Sequence, residues 1–258
     1  MLIVIVGFLL LIVMGKEADR QKTASLTGII SALDYEIEIL MDEMETKRVD
    51  VIGNAEYHVG VLQGKNVVLV HAGSGKVLSA CGTTELINHY PVDRVLFTGI
   101  AGGLLDEEKV LDVVIGEKLF QHDYGWLKNS GFEWSGAPYG EKKWVQSDPL
   151  LCDLAYRSAV QVLGEEHVFR GVIATGDQFI ASEEEANRLR REFDALACEM
   201  EGAAVAMVCA KYEIPFAVIR SLSDKADGNA HESLENMGKT AAEHSSRIIL
   251  RMLENLKE

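Results

Sequence analysis

The chain has 258 residues, 48% of them hydrophobic and 25% charged, which fits a globular α/β domain with a sizeable core and excludes a disordered chain. Asp and Glu number 40 against 25 Lys and Arg, a formal net charge of −15. That sign excludes general nucleic-acid binding but leaves room for a small neutral or zwitterionic ligand.

At the amino end, Leu2 to Met14 is apolar throughout apart from Gly7. The run is shorter than the roughly 20 residues a spanning helix needs. It fits the apolar part of a signal peptide with Val13-Met14-Gly15 as the cleavage site, although no Lys or Arg precedes it; initiation at Met14 is the alternative. The first case implies an exported or tethered protein, touching a membrane only through residues 2–14, and the second a cytoplasmic one. Residues 1–25 are set apart as apolar segment and linker, and 26–258 as one domain.

From Leu26 onward, strand and helix signals alternate. Leu26 to Leu33 is an apolar strand. Asp34 is placed to cap a helix on which Ile37, Leu40, Met41 and Met44 recur at helical spacing. Tyr57–Leu62 and Asn66–His71 flank a Gln63-Gly64-Lys65 turn and form a hairpin. Gly73-Ser74-Gly75 opens a helix to His89. Arg94–Thr98 is a buried strand that Gly99 breaks, and Val113–Ile115 is another. Tyr124–Lys143 reads as a long loop. Further on come a helix at Asp148–Leu163, strands at Val168–Thr175, Leu196–Glu199 and Pro215–Leu222, and helices at Glu183–Arg191 and Gly202–Tyr212. A long amphipathic helix from about Glu232 ends the chain. This alternation predicts a single α/β domain with a mostly parallel sheet, and ligands then belong at the carboxyl ends of its strands.

Several motifs fail. Gly73-Ser74-Gly75-Lys76 lacks the remaining residues of a phosphate loop, since positions 70 and 77 are Val. Gly99 to Gly103 lacks dinucleotide spacing, and neither HExxH nor GxSxG occurs. The four cysteines, Cys81, Cys152, Cys198 and Cys209, form no CxxC pair and are read as thiols, mostly buried. Acidic residues do follow the apolar strands, at Glu36, Asp177, Glu201 and Asp224. Capping accounts for Glu36 or Asp177 taken singly. Glu201 precedes small residues that permit close approach, and Asp224 sits at the mouth of an apolar strand.

Thr27–Glu36, Ala72–Lys76, Thr98–Gly103, Thr175–Ile180, Glu199–Ala204 and Ser223–Asp227 together resemble the 5′-methylthioadenosine/S-adenosylhomocysteine nucleosidases of the purine nucleoside phosphorylase superfamily. The resemblance spans about Leu26 to Leu256. It implies a single-domain, three-layer α/β fold in which helices flank a central mixed, mostly parallel sheet. It also implies a homodimer, a nucleoside substrate and no cofactor.

Breaking a purine N-glycosidic bond passes through a sugar cation, so it needs a proton on the leaving base and a base for the attacking water. By resemblance, Asp224 is the acid at N7 of adenine and Glu36 the base. Glu201 holds the ribose hydroxyls and Met200 packs under the sugar. Phe179 stacks on adenine while the backbone of Ile180 meets its edge. Arg220 orders the water and the acidic cluster. Ala32, Gly102 and Ser223 complete the wall with Ile100, where the family often has serine. The segment His122–Gly140 departs from the family pattern, and Phe132, Trp134 and Pro138 are its candidates for an apolar wall at the 5′ side. A nucleoside phosphorylase, an adenosine- or futalosine-type nucleosidase, and a nucleoside-binding protein are the alternatives. The first is disfavoured because the Ala72-Gly73 and Thr98-Gly99 loops carry no arginine.

Overall fold

The computed structural model describes residues 25–136 and 144–257. The apolar segment 2–14, most of the linker, and Pro138 lie outside the described residues. Among the described residues, no helix is long and apolar enough to cross a membrane.

The core is one mixed sheet. Its strands are β1 (Leu26–Ser31), β2 (Glu45–Ile52), β3 (Ala55–Leu62), β4 (Lys65–His71), β5 (Arg94–Gly103), β6 (Val113–Gln121), β9 (Val145–Gln146), β10 (Val168–Thr175), β11 (Ala195–Glu199) and β12 (Phe216–Asp224). A separate small hairpin is made of β7 (Gly125–Lys128) and β8 (Gly131–Trp134). The sheet order is β11-β10-β6-β12-β5-β1-β4-β3-β2, with β9 on β6. Strands β4, β1, β5 and β12 run parallel as one block. Strands β6, β10 and β11 run parallel as a second block, joined antiparallel to the first through β12 and β6. The end of β11 then pairs antiparallel with the end of β5, Cys198 opposite Gly102. That closure brings the carboxyl ends of both blocks to one place.

Period-2 alternation sorts the strand side chains into two layers. Ile29, Val67, Leu69, Ala217 and Ile219 face α1 (Glu38–Glu43), α3 (Pro149–Leu163) and α6 (Ala230–Asn255). Ile30, Val68, Val70, Phe216 and Val218 face α2 (Lys76–His89) and α5 (Gly202–Lys211). The remaining helix, α4 (Glu183–Phe193), packs on β11. Helix starts follow ordinary capping: Asp148 accepts the Leu151 N–H and is followed by Pro149, and Ser182 accepts the Glu185 N–H.

The fold departs from the sequence expectation in four places. Asp34 does not cap a helix. It lies in a single 3-10 turn, with its carboxylate 3.0 Å from His71 Nδ1, and the helix after the turn is only the short α1. Strand β2 escapes notice because its charged residues are mostly exposed and carry no apolar alternation; antiparallel pairing with β3 sustains it. Strand β5 does not stop at Thr98 but runs on through Gly103, because its glycines are kept for close approach and not for a turn. The loop after Gln121 contains the β7–β8 hairpin. Cys81 is exposed and the other three cysteines are buried thiols.

Ile219 is fully buried on β12, between β5 and β6 and under α3 and α6. Ile219→Ala is expected to cost about 2–5 kcal/mol, read as a lowered midpoint in urea unfolding with an unchanged slope.

Candidate active site

The closure of β11 on β5 leaves a cavity of about 210 Å³. Ala32, Leu33 and Glu36 line it from the β1 exit, and Ile100, Ala101 and Gly102 from β5. Cys198 to Glu201 come from the β11 exit, Ser223 and Asp224 from the end of β12, and Ser74, Phe179 and Leu234 from the rim.

Glu36 is 1% exposed. Its Oε2 accepts the N–H groups of Ala32 and Leu33, both at 2.8 Å, and its Oε1 accepts the Ile100 N–H at 3.0 Å. The turn Ser31–Glu36 thus folds the carboxylate back onto its own amides, and Ser246 of α6 pins the Glu36 carbonyl. Burial pushes the Glu36 carboxyl above the ordinary range; Arg220 and then the three amides oppose it.

Asp224 is equally enclosed but differently partnered. Its Oδ1 accepts the Ala226 N–H at 2.8 Å, and its Oδ2 lies 2.7 Å from Ser223 Oγ. Ser223 also has the Ala101 carbonyl at 3.3 Å. One hydroxyl proton cannot serve both acceptors at full strength, so a protonated Asp224 donating to Ser223, with Ser223 donating to Ala101, satisfies every group. Burial raises the Asp224 carboxyl, against the Ser223 hydroxyl and the Ala226 amide.

Arg220 lies behind the cavity wall with no exposure, and its guanidinium stacks 4.0 Å over Phe97. It donates to the Thr98 carbonyl and to Glu199, and lies 3.5 Å from Glu201 Oε2. Glu199 also accepts the Thr175 hydroxyl and the Glu201 and Gly202 N–H groups. Glu201 accepts the Gly75 N–H at 2.8 Å. Burial, then repulsion from Glu199, raises its carboxyl to about 7. A side chain at Gly99 would collide with both the Arg220 guanidinium and the Glu36 carboxylate, and one at Gly102 would come within 2.8 Å of Asp224 Oδ1. These are the close approaches that keep both positions glycine.

Of the residues expected from sequence, Ala32, Glu36, Ile100, Gly102, Phe179, Met200, Glu201, Ser223 and Asp224 all line this one cavity. Arg220 does not line it; it stands behind as the counter-charge. The Ile180 side chain turns into the core under α4, and the expectation for it concerns its backbone. Phe132 and Trp134 do not wall the cavity. The Trp134 N–H is bound to the Gln121 carbonyl and its ring packs on Phe120 and Phe193, which draws both residues to a separate depression beside α4. Sequence reasoning missed Glu199 as the principal partner of Arg220, and Leu33, Ser74, Ala101, Cys198 and Leu234 as lining. The Glu-Met-Glu spacing was the available signal for Glu199, and Leu33, Ser74 and Ala101 stand in motifs already singled out; nothing local marks Cys198 or Leu234.

The site is therefore a buried acid cluster balanced on one arginine, at the meeting of strand ends in a mixed sheet. Residues 27–254 match the phosphorylase superfamily. The 5′-methylthioadenosine/S-adenosylhomocysteine nucleosidase of Geobacillus sp. (strain WCH70) is 37% identical over 90% of this chain and 99% of its own length. The crystal structure of the Neisseria meningitidis nucleosidase of the same name, in complex with methylthio-immucillin-A, superposes with a TM-score of 0.83 at 36% identity, covering 90% of this chain and 100% of that one. Futalosine hydrolase of Helicobacter pylori superposes with a TM-score of 0.81 at 33% identity, covering 90% and 99%. The chain belongs to the 5′-methylthioadenosine/S-adenosylhomocysteine nucleosidase family within that superfamily.

Because the fold favours the acid form of Glu201, its contribution to stability is complete below the ordinary value of 4.5 and is lost as pH rises through about 7. Glu201→Gln is thus expected to raise the melting temperature relative to the unsubstituted protein by several degrees at pH 8 and by little at pH 5. A difference that is the same at both pH values would assign the titration elsewhere.

Proposed function

We propose that the protein hydrolyses the N-glycosidic bond of 5′-methylthioadenosine and S-adenosylhomocysteine, with Asp224 as general acid and Glu36 as base for water. The observation that carries this is the contrast between two carboxyl groups buried in one cavity. Burial raises Glu36, but Arg220 and then the N–H groups of Ala32, Leu33 and Ile100, all donors, oppose that rise, which suits a base. Asp224 shares a hydroxyl that can accept from it, which suits an acid held protonated. Glu36 is anchored at Ile100 and Asp224 lies beside Gly102. These separate anchors hold the two carboxyl groups at different points along β5.

In this reading the purine ring lies between Phe179 and the Asp224 wall, and the Ile180 backbone meets its edge. Glu201 takes the ribose hydroxyls and Met200 packs beneath the sugar. As the bond to adenine lengthens, Asp224 delivers its proton to N7 and the sugar becomes cationic. Glu36 removes a proton from the water that attacks the anomeric carbon, and the new C–O bond discharges the sugar cation. Arg220 acts by keeping Glu199 and Glu201 in place. Hydrolysis is favoured over phosphorolysis because no arginine among the described residues lines the cavity. The Gly75 and Lys76 amides of the phosphate-loop look-alike are also already taken by carboxylates. The products, adenine and a thioribose, would return by-products of S-adenosylmethionine use to methionine salvage.

A futalosine-type nucleosidase is the second reading, favoured by the likeness to futalosine hydrolase. A homodimer is proposed as well. Val77 and Leu78 of α2 are exposed, and Val77, Cys81, Met207 and Val208 border an apolar depression between α2 and α5.

Purified protein is expected to release adenine from methylthioadenosine and S-adenosylhomocysteine faster than from adenosine, at a rate independent of phosphate. Base release from futalosine alone would select the second reading, and strict phosphate dependence would leave Glu36 without its role. Asp224→Asn and Glu36→Gln should each lose about 10²–10⁴-fold in kcat, with circular dichroism showing the fold kept. Activity within a few-fold of the unsubstituted enzyme would overturn the assignment. Sedimentation is expected to give twice the chain mass, and Val77→Glu to shift it toward the monomer.

A further inference from the structure

The amino end of α2 joins two walls of the cavity. Gly75 N–H donates to Glu201 Oε1 at 2.8 Å, and the next amide, Lys76 N–H, donates to Asp177 Oδ1 at 2.9 Å. Glu201 stands on the sugar side, whereas Asp177 opens the loop that carries Phe179. Asp123 grips Asp177 from the other side, its Oδ2 accepting the Asp177 N–H at 2.9 Å. The Lys76 side chain closes the ring, with Nζ 2.6 Å from Asp123 Oδ1 and 3.6 Å from Asp177 Oδ2. Lys76 and Asp123 are only 18% and 20% exposed, so this pair is screened less than a surface ion pair. His122 packs against Gly176, leaving no space for a side chain there.

What this ring holds has few other main-chain ties. The loop is anchored again at Ser182, whose N–H donates to the Ala226 carbonyl. Between the two anchors, residues 178–181 make no backbone hydrogen bond to any described residue. Phe179 therefore takes its place from the two ends of the loop, from the Ile180 side chain buried in the core under α4, and from an edge-on contact with His231.

We propose that Lys76, Asp123 and Asp177 form a latch that sets the Phe179 loop against the Glu201 wall, so that Lys76 and Asp123 are positioning residues for the base-binding half of the site. The inference rests on the reading of Phe179 as the face that stacks on the purine. Glu36 and Asp224 are anchored elsewhere, to Ala32, Leu33, Ile100 and Ala226, so loosening the latch costs binding and spares the chemical step.

The test uses Lys76→Met and Asp123→Ala in the full chain, with Lys76→Arg as the charge-keeping control and Asp123→Asn as the milder change should truncation prevent folding. Hydrogen–deuterium exchange of the hydrogen-bonded Lys76, Asp177 and Ser182 amides is read without ligand, and the dissociation constant of adenine is read by calorimetry. With methylthioadenosine, loss of the latch is expected to raise KM and the adenine dissociation constant about tenfold, the scale of one charge-assisted hydrogen bond. The same variants should keep kcat within about threefold, as removal of uniform binding requires. Exchange of those three amides should quicken, and Lys76→Arg should restore all three readouts. Unchanged exchange and KM, or a fall in kcat at constant KM, would overturn the latch. Because exchange needs no substrate, quickened exchange in a protein that releases no adenine upholds the latch and sinks the proposed reaction; unchanged exchange in an active enzyme does the opposite.

Discussion

Arg220 carries a positive charge where no water reaches it, and a guanidinium cannot shed its proton to escape that cost. The surrounding fold is organised to neutralise it. Phe97 offers a ring face below, the Thr98 carbonyl takes one donor, and Glu199 takes another with Glu201 alongside. Breaking a buried pair of this kind costs about 3–5 kcal/mol, because the abandoned charge stays buried. Glu199 is bound in turn by Thr175 and by the first amides of α5, so a single ion pair ties β10, β11, β12 and α5 together. Glu36, Glu199 and Glu201 around one guanidinium leave an excess of negative charge. Burial first, and repulsion from Glu199 second, raises the Glu201 carboxyl.

Burial acts alike on Glu36 and Asp224, and the neighbours separate them. Main-chain N–H groups surround Glu36 because the chain reverses at Ser31–Glu36 and returns its own amides to the side chain. Asp224 ends β12 beside a serine whose hydroxyl works as donor or acceptor. The acid and base roles proposed for them would thus come from Arg220, the backbone path and one hydroxyl, with both carboxyl groups equally removed from solvent and both raised by burial.

Much of the layer structure was legible because buried strands announce themselves by apolar runs and helices by capping residues. Asp148-Pro149 and Ser182 are examples where local chemistry and final structure agree. Strand β2 was illegible because its stability lies in pairing with β3 and not in its own pattern. The run of β5 through Gly99 to Gly103 was illegible for a related reason. Those glycines answer to Glu36, Arg220 and Asp224, which are remote in sequence. The same remoteness hid Glu199: Arg220 is 21 residues away, and only the folded sheet places them together. The acidic strand exits were visible one by one. Their convergence required the antiparallel closure of β11 on β5, which nothing in either strand's composition signals.

The carboxylates at the centre of the site are held mainly by main-chain N–H groups, those of Ala32, Leu33, Ile100, Gly75 and Ala226. Such donors survive almost any exchange of side chain at their own positions. Ile100, Ser74, Leu234 and Phe179 therefore form a set of cavity-facing positions that can drift without disturbing the proton-handling groups. A lineage built this way can change which nucleoside it accepts by small steps and keep its chemistry at every step.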